Sequence, residues 1–297
     1  MRVLNFGSLN LDYVYEVEHF VQPGETLDSM GRSIQCGGKG LNQSIALARA
    51  GATVCHAGCI GEGGEPLKAL LEENGVDISC LTPVNQMQGH TVIQVTPSGE
   101  NAILLYGGSN RCVTEEQIRE TIGHFSEGDW LVLQNEINAL PVIVKEAAEK
   151  GLKIVLNPSP WNSALDQVDF EKLSWLFVNE IEMEQITGEK DPGKAWEEIH
   201  QRYPRMSILI TLGSRGSIAF LNTDGQTECV RQEAIRVRAV DTTAAGDTYT
   251  GYFIAGMVSG LSLKESMERA AKAAAISVTR HGAALSIPWA REDLIIL

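Results

Sequence analysis

The most chemically suggestive stretch of the chain is AVDTTAAGDTYTGYF, residues 239–253. It places Asp241 and Asp247 six residues apart and puts small residues at 244–246, at the start of a predicted helix. Small residues let successive backbone amides point at one place, and the positive end of the helix would add to their attraction for an anion. Asp247 beside such a place could take the proton of a hydroxyl that attacks phosphorus. The plainer interpretation, an ordinary acid in a first helical turn, accounts for one aspartate and leaves the Ala-Gly run unexplained.

The stretch CGGKGLNQ, residues 36–43, is the second candidate. It is not a P-loop, because that motif needs Ser or Thr after its lysine and Gly40 follows Lys39. Its glycines would allow the backbone to approach a ligand closely, Lys39 would supply a cation, and Asn42 would begin a helix. For this motif alone, an ordinary glycine turn with Asn42 as its cap is an equally good interpretation.

A third candidate, ITLGSRGSIAF at 210–220, predicts a strand, a glycine loop and a second strand. Thr211, Ser214 and the loop amides would be available to a chain of phosphates. The alternative is a tight hairpin with an exposed Arg215, so this motif alone is weak evidence.

Several polar residues follow predicted strands, namely Asn10, Asp12, Glu136, Asn157, Asn179, Glu180 and Glu182. The carboxyl ends of parallel strands meet at one edge of a sheet, where ligands bind. Carboxylates accept from two neighbouring hydroxyls, while carboxamides both donate and accept. The set that suits the vicinal hydroxyls of a sugar is therefore Asn10, Asp12, Asn42 and Glu136. Taken singly, each acid is more often a solvated surface charge or a cap, so the inference depends on their joint placement.

The elements that must position these residues alternate along the chain. Short β-branched runs such as DWLVLQ and SILITLG alternate with amphipathic stretches such as LPVIVKEAAEKG and KAWEEIHQRYP. This rhythm predicts an α/β fold, a doubly wound and mostly parallel sheet with helices on both faces. Residues 12–36 and 88–108 break the rhythm, and TVIQVTPSGENAILLYGG alternates around a turn like a hairpin. We expect these two segments to form a small antiparallel β lid within a single domain, 1–297.

Composition limits the partners of the chain. It has 297 residues, a hydrophobic content of 43% and a formal net charge of −14. This charge argues against a nucleic acid or an anionic membrane surface as partner, because both need clustered Lys and Arg. The first apolar run is too short for a signal peptide and no stretch approaches the ~20 apolar residues of a spanning helix, so a cytoplasmic protein is expected. We interpret the six scattered cysteines as reduced core thiols.

Together these stretches carry a family resemblance. The motifs NLD, GGKGLNQ, LNPSP, VNEIE, TLGSRG, DTTAAGDTYTG and SVTRHGAALSIPW occur in the order and approximate spacing of the ribokinase (PfkB-type) family of ATP-dependent carbohydrate kinases. The chain resembles this family over essentially its whole length. The combination of GGKGLNQ with DTTAAGD is very specific to it.

The resemblance implies in-line transfer of the γ-phosphoryl group of ATP to a sugar hydroxyl. Asp247 matches the general base, and the implied anion hole consists of the amides of Ala244, Ala245, Gly246 and Asp247. The implied sugar-binding residues are Asn10, Asp12, Gly38, Lys39, Asn42, Glu136 and Asp247. A free sugar is therefore the expected substrate, with D-ribose phosphorylated at its 5-hydroxyl.

The resemblance also implies nucleotide and cation sites. Nucleotide contacts fall on Asn179, Thr211, Leu212, Gly213, Ser214, Arg215, Gly216, Gly246 and Asp247. Asn179 and Glu182 match an element that supports Mg²⁺, which neutralises charge in phosphoryl transfer. A monovalent cation, K⁺, is implied beside the anion hole, largely on backbone oxygens of Asp241, Thr243, Ser277, Arg280, Gly282 and Ser286. Ala270 stands where the family often has Asn or His near the nucleotide, and Asn135 stands where an apolar residue is usual.

The family's lid closes over the sugar and commonly pairs with the lid of a second subunit, so the resemblance implies a homodimer. Within the same chemistry, the alternative is a kinase for a nucleoside, a hexose or deoxyribose. From other classes, a non-catalytic sugar-binding regulator would tolerate loss of Asp247, which is present. An oxidoreductase would need a dinucleotide fingerprint, which Pro66 interrupts after Gly61 and Gly63.

Overall fold

A nine-stranded sheet and a four-stranded sheet organise residues 1–223 and 225–291, which the computed structural model describes. The strands are β1 (Val3–Phe6), β2 (Asn10–Glu16), β3 (Gly31–Gly37), β4 (Val54–Glu62), β5 (Asp77–Met87), β6 (His90–Val95), β7 (Asn101–Tyr106), β8 (Trp130–Gln134), β9 (Lys153–Asn157), β10 (Trp175–Asn179), β11 (Ser207–Thr211), β12 (Ser217–Thr223) and β13 (Gln226–Gln232). The α-helices are α1 (Lys39–Arg49), α2 (Glu65–Glu73), α3 (Glu115–Gly123), α4 (Leu140–Glu149), α5 (Glu180–Thr187), α6 (Pro192–Arg202), α7 (Ala245–Val258) and α8 (Leu263–Ser277). Short 3₁₀ turns lie at Gly108–Arg111, Ser163–Gln167, Phe170–Lys172, Gly213–Arg215 and Ala284–Ser286.

The large sheet has the strand order β13-β12-β11-β10-β9-β8-β1-β4-β5. Its strands pair in parallel from β5 across to β11, while β12 and β13 at the other edge are antiparallel. Helices α1, α2, α7 and α8 bury one hydrophobic cluster against the sheet, and α3 to α6 bury the other. The predicted doubly wound, mostly parallel sheet with helices on both faces is confirmed. No helix among the described residues is both long enough and apolar enough to cross a membrane.

The central strands are buried because they carry apolar side chains on both faces. Strand β8, WLVLQ, is buried at every position. Leu131 and Leu133 belong to the cluster under α3 to α6, whereas Trp130 and Val132 belong to the opposite one. The strand order sets the carboxyl ends of β1, β8, β9, β10 and β11 side by side, so the residues that follow them share one edge.

The small sheet, in the order β3-β2-β6-β7, is the lid. Strands β2 and β3 pair antiparallel, as do β6 and β7, which agrees with the predicted lid, and a parallel β2–β6 pair joins the two. In the β6–β7 hairpin, Val95 pairs with Asn101, and the amide of Thr96 donates to the carbonyl of Glu100 at 3.0 Å. The lid is tied to the site because β2 follows β1 and β3 leads directly into α1.

Local structure differs from the sequence prediction at three places. Helix α1 begins three residues before Asn42, whose side chain makes no cap. Strand β5 was not predicted, because polar residues and Pro83 interrupt its apolar pattern, which an edge strand tolerates. All six cysteines are free; Cys55 and Cys59 are buried in the core and Cys36, Cys80 and Cys112 pack against it half-buried, so the prediction of core thiols was wrong only for the exposed Cys229.

Candidate active site

Asp247 lies in the first turn of α7, and two side chains of α1 hold its carboxylate. Asn42 donates through Nδ2 to Oδ2 at 3.0 Å, and Gln43 donates through Nε2 to Oδ1 at 2.9 Å. Asp247 is only 9% exposed. Each carboxylate oxygen keeps a further lone pair, so Asp247 is a fixed acceptor that can still take a proton from a bound hydroxyl. An ordinary acid at a helix terminus would not need two partners from another helix.

The backbone before Asp247 leaves amides open. Ala244 is left-handed, with φ of 59°, which is uncommon for a residue that has a side chain. The amide of Ala245 donates to the carbonyl of Thr242 at 3.2 Å, whereas those of Ala244, Gly246 and Asp247 have no hydrogen-bond partner among the described residues. A Cβ built at Gly246 would meet no heavy atom within 4 Å, so the space ahead is empty. Of the four amides predicted for the anion hole, Ala245 is therefore already engaged.

Glu136 follows β8 and lies against the start of α1. Its Oε2 accepts from Ser8 Oγ at 2.5 Å and from the backbone amide of Lys39 at 3.1 Å. Ser8 follows β1, the strand next to β8, so two neighbouring strand ends converge here as predicted. Within the described chain, Oε1 of Glu136 has no hydrogen-bond partner and is available to a ligand hydroxyl.

Asn10 and Asp12 lie on the lid strand β2. Oδ1 of Asn10 accepts from Asn110 Nδ2 at 2.7 Å, and Oδ1 of Asp12 accepts from Thr91 Oγ1 at 2.6 Å. Burial raises the pKa of Asp12; the hydrogen bond from Thr91 opposes this rise and the charge of Glu136 adds to it. Oδ2 of Asp12 lies against Gly37, and Glu136 accepts from the amide of Lys39 two residues later, so both carboxylates lie along the GGKG turn. They form one polar surface at the base of the lid, suited to hydroxyl groups.

The glycines of the GGKG turn are required for contacts within the protein. Gly38 precedes α1 with φ of 96°, a conformation that favours glycine. A Cβ at Gly40 would lie 2.3 Å from the backbone nitrogen of Ser8, and one at Gly37 would lie 1.9 Å from Oδ2 of Asp12. Gly37 and Gly40 therefore allow close approach to the lid and to the β1–β2 connection.

Lys39 supplies the predicted cation of the site. Burial lowers its pKa, but the charges of Asp247, Glu136 and Glu182 outweigh burial, and the pKa is raised overall. Lys39 is therefore protonated at neutral pH, among three carboxylates.

Two cavities adjoin in front of α7. The smaller, about 440 Å³, includes Lys39, Asn157, Asn179, Glu182 and Asp247 in its lining. The larger, about 600 Å³, includes Ile235, Val237, Tyr249, Ala271, Ala274 and Ala275. Both are lined by Thr211, Gly213 and Gly246, so they meet at the open amides. A cavity of this size and apolar lining suits an organic ligand as large as a nucleotide.

The glycine loop after β11 contributes four of its six predicted residues to the larger cavity, namely Thr211, Gly213, Ser214 and Gly216. Leu212 is instead buried in the core, and Arg215 forms an ion pair with Glu180. The side chains of these two residues are thus engaged within the protein. The amides of Gly213 and Ser214 have no hydrogen-bond partner within the described chain and can serve as donors to a ligand.

Asn179 and Glu182 cap α5 reciprocally. Asn179 Oδ1 accepts from the amide of Glu182 at 2.9 Å, and Glu182 Oε2 accepts from the amide of Asn179 at 3.0 Å. The cap leaves Oε1 of Glu182 unused at the lining of the smaller cavity. Such oxygen donors fit a hard cation of the Mg²⁺ type.

Asp241 clamps its own loop to the segment after α8. Its Oδ1 accepts from the amide and the hydroxyl of Thr243 at 2.9 and 2.6 Å, and its Oδ2 accepts from the amide of Gly282 at 3.0 Å. The amide of Asp241 donates to the carbonyl of Val278 at 3.2 Å. Burial raises the pKa of Asp241, but the hydrogen bonds from Thr243 and Gly282 and the charge of His281 outweigh burial and lower it overall. The structure therefore brings three of the six predicted K⁺ residues together through a carboxylate.

The other three predicted K⁺ residues lie in the turns that follow. Ser277 ends α8, and its hydroxyl donates to the carbonyl of Ala274 at 2.8 Å. The amide of Arg280 donates to the carbonyl of Ser277 at 3.0 Å. Ser286 lies in a separate 3₁₀ turn, where its hydroxyl donates to the carbonyl of Ala283 at 2.8 Å.

Two residues that depart from the family pattern lie away from the ligand cavities. Ala270 is fully buried in the cluster under α7 and α8, and Ala271 and Ala274 of the same helix line the larger cavity. Asn135 is buried, and its Nδ2 donates to the carbonyl of Pro160 at 2.6 Å.

The predicted site residues accept hydrogen bonds from four side chains that the sequence did not single out. These are Gln43, Ser8, Thr91 and Asn110. Gln43 stands next to Asn42 in the motif, but successive helical residues point about 100° apart, so a shared partner was not expected. They reach one carboxylate because each binds a different oxygen.

A fixed carboxylate beside open amides, at the carboxyl edge of a doubly wound sheet, defines a site for phosphoryl transfer to a hydroxyl. The model of the pfkB family of carbohydrate kinases matches residues 2–290, and the chain belongs to this family. The predicted family is thus confirmed.

Relatives and solved structures agree with this assignment. The ribokinase of Haemophilus influenzae is 36% identical over 301 residues, which cover 98% of this chain and 96% of the relative. The crystal structure of ribokinase from Cryptococcus neoformans in complex with ADP has a TM-score of 0.84 at 33% identity and covers 98% of both chains. The structure of Arabidopsis thaliana ribokinase complexed with ribose and ATP has a TM-score of 0.84 at 27% identity, covering 99% of this chain and 97% of that one.

Proposed function

We propose that the protein is an ATP-dependent ribokinase that transfers the γ-phosphoryl group of ATP to the 5-hydroxyl of D-ribose. The observation that carries the proposal is the carboxylate of Asp247, which Asn42 and Gln43 hold beside the open amides of α7. Family membership supports a carbohydrate acceptor, and the relatives named ribokinase support ribose.

The proposed sugar site is the polar surface of Asn10, Asp12 and Glu136, completed by Gly38, Lys39 and Asn42. Its acceptor oxygens suit the vicinal hydroxyls of a pentose. The hydroxyl to be phosphorylated lies against Asp247. Its proton passes to the carboxylate while its oxygen forms the bond to the γ-phosphorus, and the bond from that phosphorus to the bridging oxygen breaks to release ADP.

In this proposal ATP occupies the larger cavity, and its phosphates extend past Gly246 into the smaller one. The amides of Gly246 and Asp247 and the positive end of α7 stabilise the charge on the transferred group. Lys39 adds a protonated amine. Asn179 and Glu182 provide oxygens suited to Mg²⁺, which when bound neutralises phosphate charge.

A K⁺ ion completes the proposed site, bound by backbone oxygens near the loop that Asp241 clamps. Because Thr243 and Gly282 occupy both carboxylate oxygens, Asp241 acts by shaping this loop. The loop leads directly into Ala244 and the open amides, so a cation there would act on the anion hole.

We also propose that residues 1–297 form a single kinase domain and that the protein lies in the cytoplasm. Two copies pair through the lid to form a homodimer. The lid's edge strand β7 exposes apolar side chains, with Leu104 71% and Ile103 58% exposed. An unpaired apolar edge favours association with a second copy. Sedimentation equilibrium should give a dimer that Ile103→Asp dissociates, whereas Leu285→Asp, at an exposed apolar residue outside the lid, leaves it intact. A monomeric wild-type protein at micromolar concentration would contradict this assembly.

A coupled ADP-release assay tests the proposed activity. Pentoses, hexoses, deoxyribose and nucleosides are compared with and without Mg²⁺ and K⁺, and Mg²⁺-dependent turnover is expected with ribose above the others. Calorimetric titration with each sugar accompanies the assay. Sugar binding without turnover on any substrate would favour a non-catalytic regulator, and faster turnover of a nucleoside would reassign the substrate.

A further inference from the structure

A chain of buried side-chain amides runs from the carboxylate of Asp247 into the centre of the sheet. Gln43, which donates Nε2 to Asp247, accepts through Oε1 from Gln134 Nε2 at 2.7 Å. Gln134 Nε2 also donates to Asn5 Oδ1 at 2.9 Å. The three amide residues are fully buried at 0% exposure, so water does not compete for these bonds. Neither Gln134 nor Asn5 has a place in the ligand sites described above.

The direction of every bond in this chain is fixed from one end. Asn5 Nδ2 donates to the backbone carbonyl of Gly40 at 2.8 Å. A carbonyl can only accept, so Asn5 must turn its nitrogen to Gly40 and its oxygen to Gln134. Gln134 must then turn its nitrogen toward both neighbours, so that its two hydrogens are donated to Asn5 Oδ1 and to Gln43 Oε1. Gln43 must therefore turn its oxygen to Gln134 and its nitrogen to Asp247, because the reverse would set two donors in contact at Gln134 and two acceptors in contact at Asp247.

The other branch of the chain supports the same polarity. Ser44 Oγ accepts from Asn5 Nδ2 at 2.8 Å and lies 2.8 Å from Nδ1 of His56. Burial lowers the pKa of His56 to about 3, against a smaller opposing effect of the Gly7 carbonyl, so the ring is neutral. Its Nδ1 can accept the single hydroxyl hydrogen of Ser44, which leaves the hydroxyl oxygen to accept from Asn5.

We propose that Gln134 and Asn5 are positioning residues for phosphoryl transfer: they keep the nitrogen of the Gln43 amide toward Asp247 and so hold the base in the orientation that receives the sugar's proton. The inference rests on the proposed function, since it concerns the base of that reaction. Without Gln134, the oxygen of Gln43 loses this donor, so the amide is no longer held in place and its hydrogen bond to the carboxylate of Asp247 weakens. Gln134 lines neither of the two cavities in front of α7, so its loss should change turnover and leave substrate binding.

The test compares Gln134→Met, Gln134→Glu, Gln43→Met and the double variant Gln43→Met/Gln134→Met in steady-state kinetics with ribose and ATP. Methionine approximately keeps the volume and removes the donor, whereas glutamate offers oxygens to both neighbours and favours a turned Gln43 amide. We expect kcat to fall about 10- to 100-fold in Gln134→Met, the size typical of a misplaced catalytic group, and further in Gln134→Glu. Both KM values should stay within about twofold. In the Gln43→Met background, Gln134→Met should change kcat by less than about twofold, because Gln134 acts through Gln43.

Gln117→Met is the matched control. Gln117 is also buried, and it donates to the carbonyl of Gly58 at 2.8 Å without contacting Asp247. Its kcat should be that of the wild type. An unchanged kcat in Gln134→Met, or a double variant whose loss is the product of the two single losses, would overturn the proposal.

A second measurement does not depend on turnover. In side-chain ¹⁵N–¹H spectra, the Gln43 amide resonances, identified by their loss in Gln43→Met, should move in Gln134→Met and Gln134→Glu and stay in place in Gln117→Met. If the wild type phosphorylates no sugar while these resonances respond, the proposed function fails and the amide chain stands. If the wild type phosphorylates ribose and neither kcat nor the resonances respond to Gln134, the amide chain fails and the proposed function stands.

Discussion

Asn42 and Asp247 stand 205 positions apart in the chain, and a hydrogen bond of 3.0 Å joins them. The bond links the start of α1, next to the lid, to the start of α7, where Gly246 lines both cavities. Close packing of the two helices sets this distance, since a Cβ at Gly251 would lie 2.4 Å from the Cβ of Ala46. The surface for hydroxyls and the surface for phosphates therefore meet at one carboxylate.

Asp247→Asn should fold, bind ribose and lose turnover. The amide keeps the shape of the side chain but cannot take the proton of the attacking hydroxyl, so we expect kcat to fall about 10²- to 10⁴-fold. Rapid-quench or coupled kinetics give kcat, and calorimetry gives ribose affinity. Asp166→Asn, at an exposed aspartate far along the chain, serves as control. A variant with near-normal kcat would remove Asp247 as the base.

Asp12→Asn should be more stable than the wild type at neutral pH and should bind ribose more weakly. Burial raises the pKa of Asp12 in the folded state, with Thr91 opposing and Glu136 adding, so its ionisation destabilises the fold as pH rises from the ordinary value of 3.8 through the raised pKa. The amide of the variant keeps an oxygen that accepts from Thr91, but it does not ionise and so does not destabilise the fold as pH rises. Its Tm should therefore match that of the wild type below pH 3.8, where Asp12 is protonated in both the folded and the unfolded state, and exceed it at neutral pH. Ribose affinity should fall about 10- to 100-fold, because a charged acceptor is lost.

Differential scanning calorimetry from below pH 3.8 to neutral pH measures the Tm difference of Asp12→Asn, and ribose titration at neutral pH measures its affinity. The wild type should also lose ribose affinity as pH falls through the raised pKa of Asp12. A Tm difference that is constant with pH would show that ionisation of Asp12 does not account for the stability change.

The sequence alone predicts the sheet and the lid and singles out Asp247, because these depend on apolar rhythm and on short local motifs. Strand β5 was missed because an edge strand is not required to be apolar on both faces. Nor does the sequence show that Gly37 and Gly40 make room for side-chain and backbone atoms of the β1–β2 region. Such close approaches depend on residues brought together from different elements, which a linear motif does not describe.

The same limit applies to the side chains that hold the site. Gln43, Thr91 and Asn110 carry no signal of their own, since a buried amide or hydroxyl is recognisable only by its partner. Asp241 was predicted from family likeness as a cation residue, but its carboxylate makes three bonds within the protein. The resemblance pointed to this residue, and only tertiary contacts reveal which groups its carboxylate binds.

Asp241→Asn should abolish activation by K⁺ and leave ribose affinity unchanged. The amide cannot accept from both Thr243 and Gly282, so the loop before Ala244 is released from the segment after α8. Hydrogen bonds and His281 outweigh burial and lower the pKa of Asp241, so the clamp is ionised and intact at any neutral pH. Rates are measured with K⁺ and with a large organic cation at equal ionic strength. Asp169→Asn, another loop aspartate that accepts a backbone amide, should keep its K⁺ response; an unchanged response in Asp241→Asn would refute the cation assignment.

Ala274→Phe should obstruct the larger cavity and weaken ATP selectively. Ala274 lies on α8 and lines this cavity, opposite the glycine loop, and it is absent from the lining of the smaller cavity beside Asp247. Overpacking of this kind costs about 1–3 kcal/mol, which corresponds to roughly a 5- to 150-fold rise in the KM for ATP. The KM for ribose should be unchanged, because the sugar surface lies on the other side of the open amides. Ala69→Phe, on the exposed face of α2, is the matched control for added bulk on a helix. A normal KM for ATP in Ala274→Phe would contradict the placement of ATP in the larger cavity.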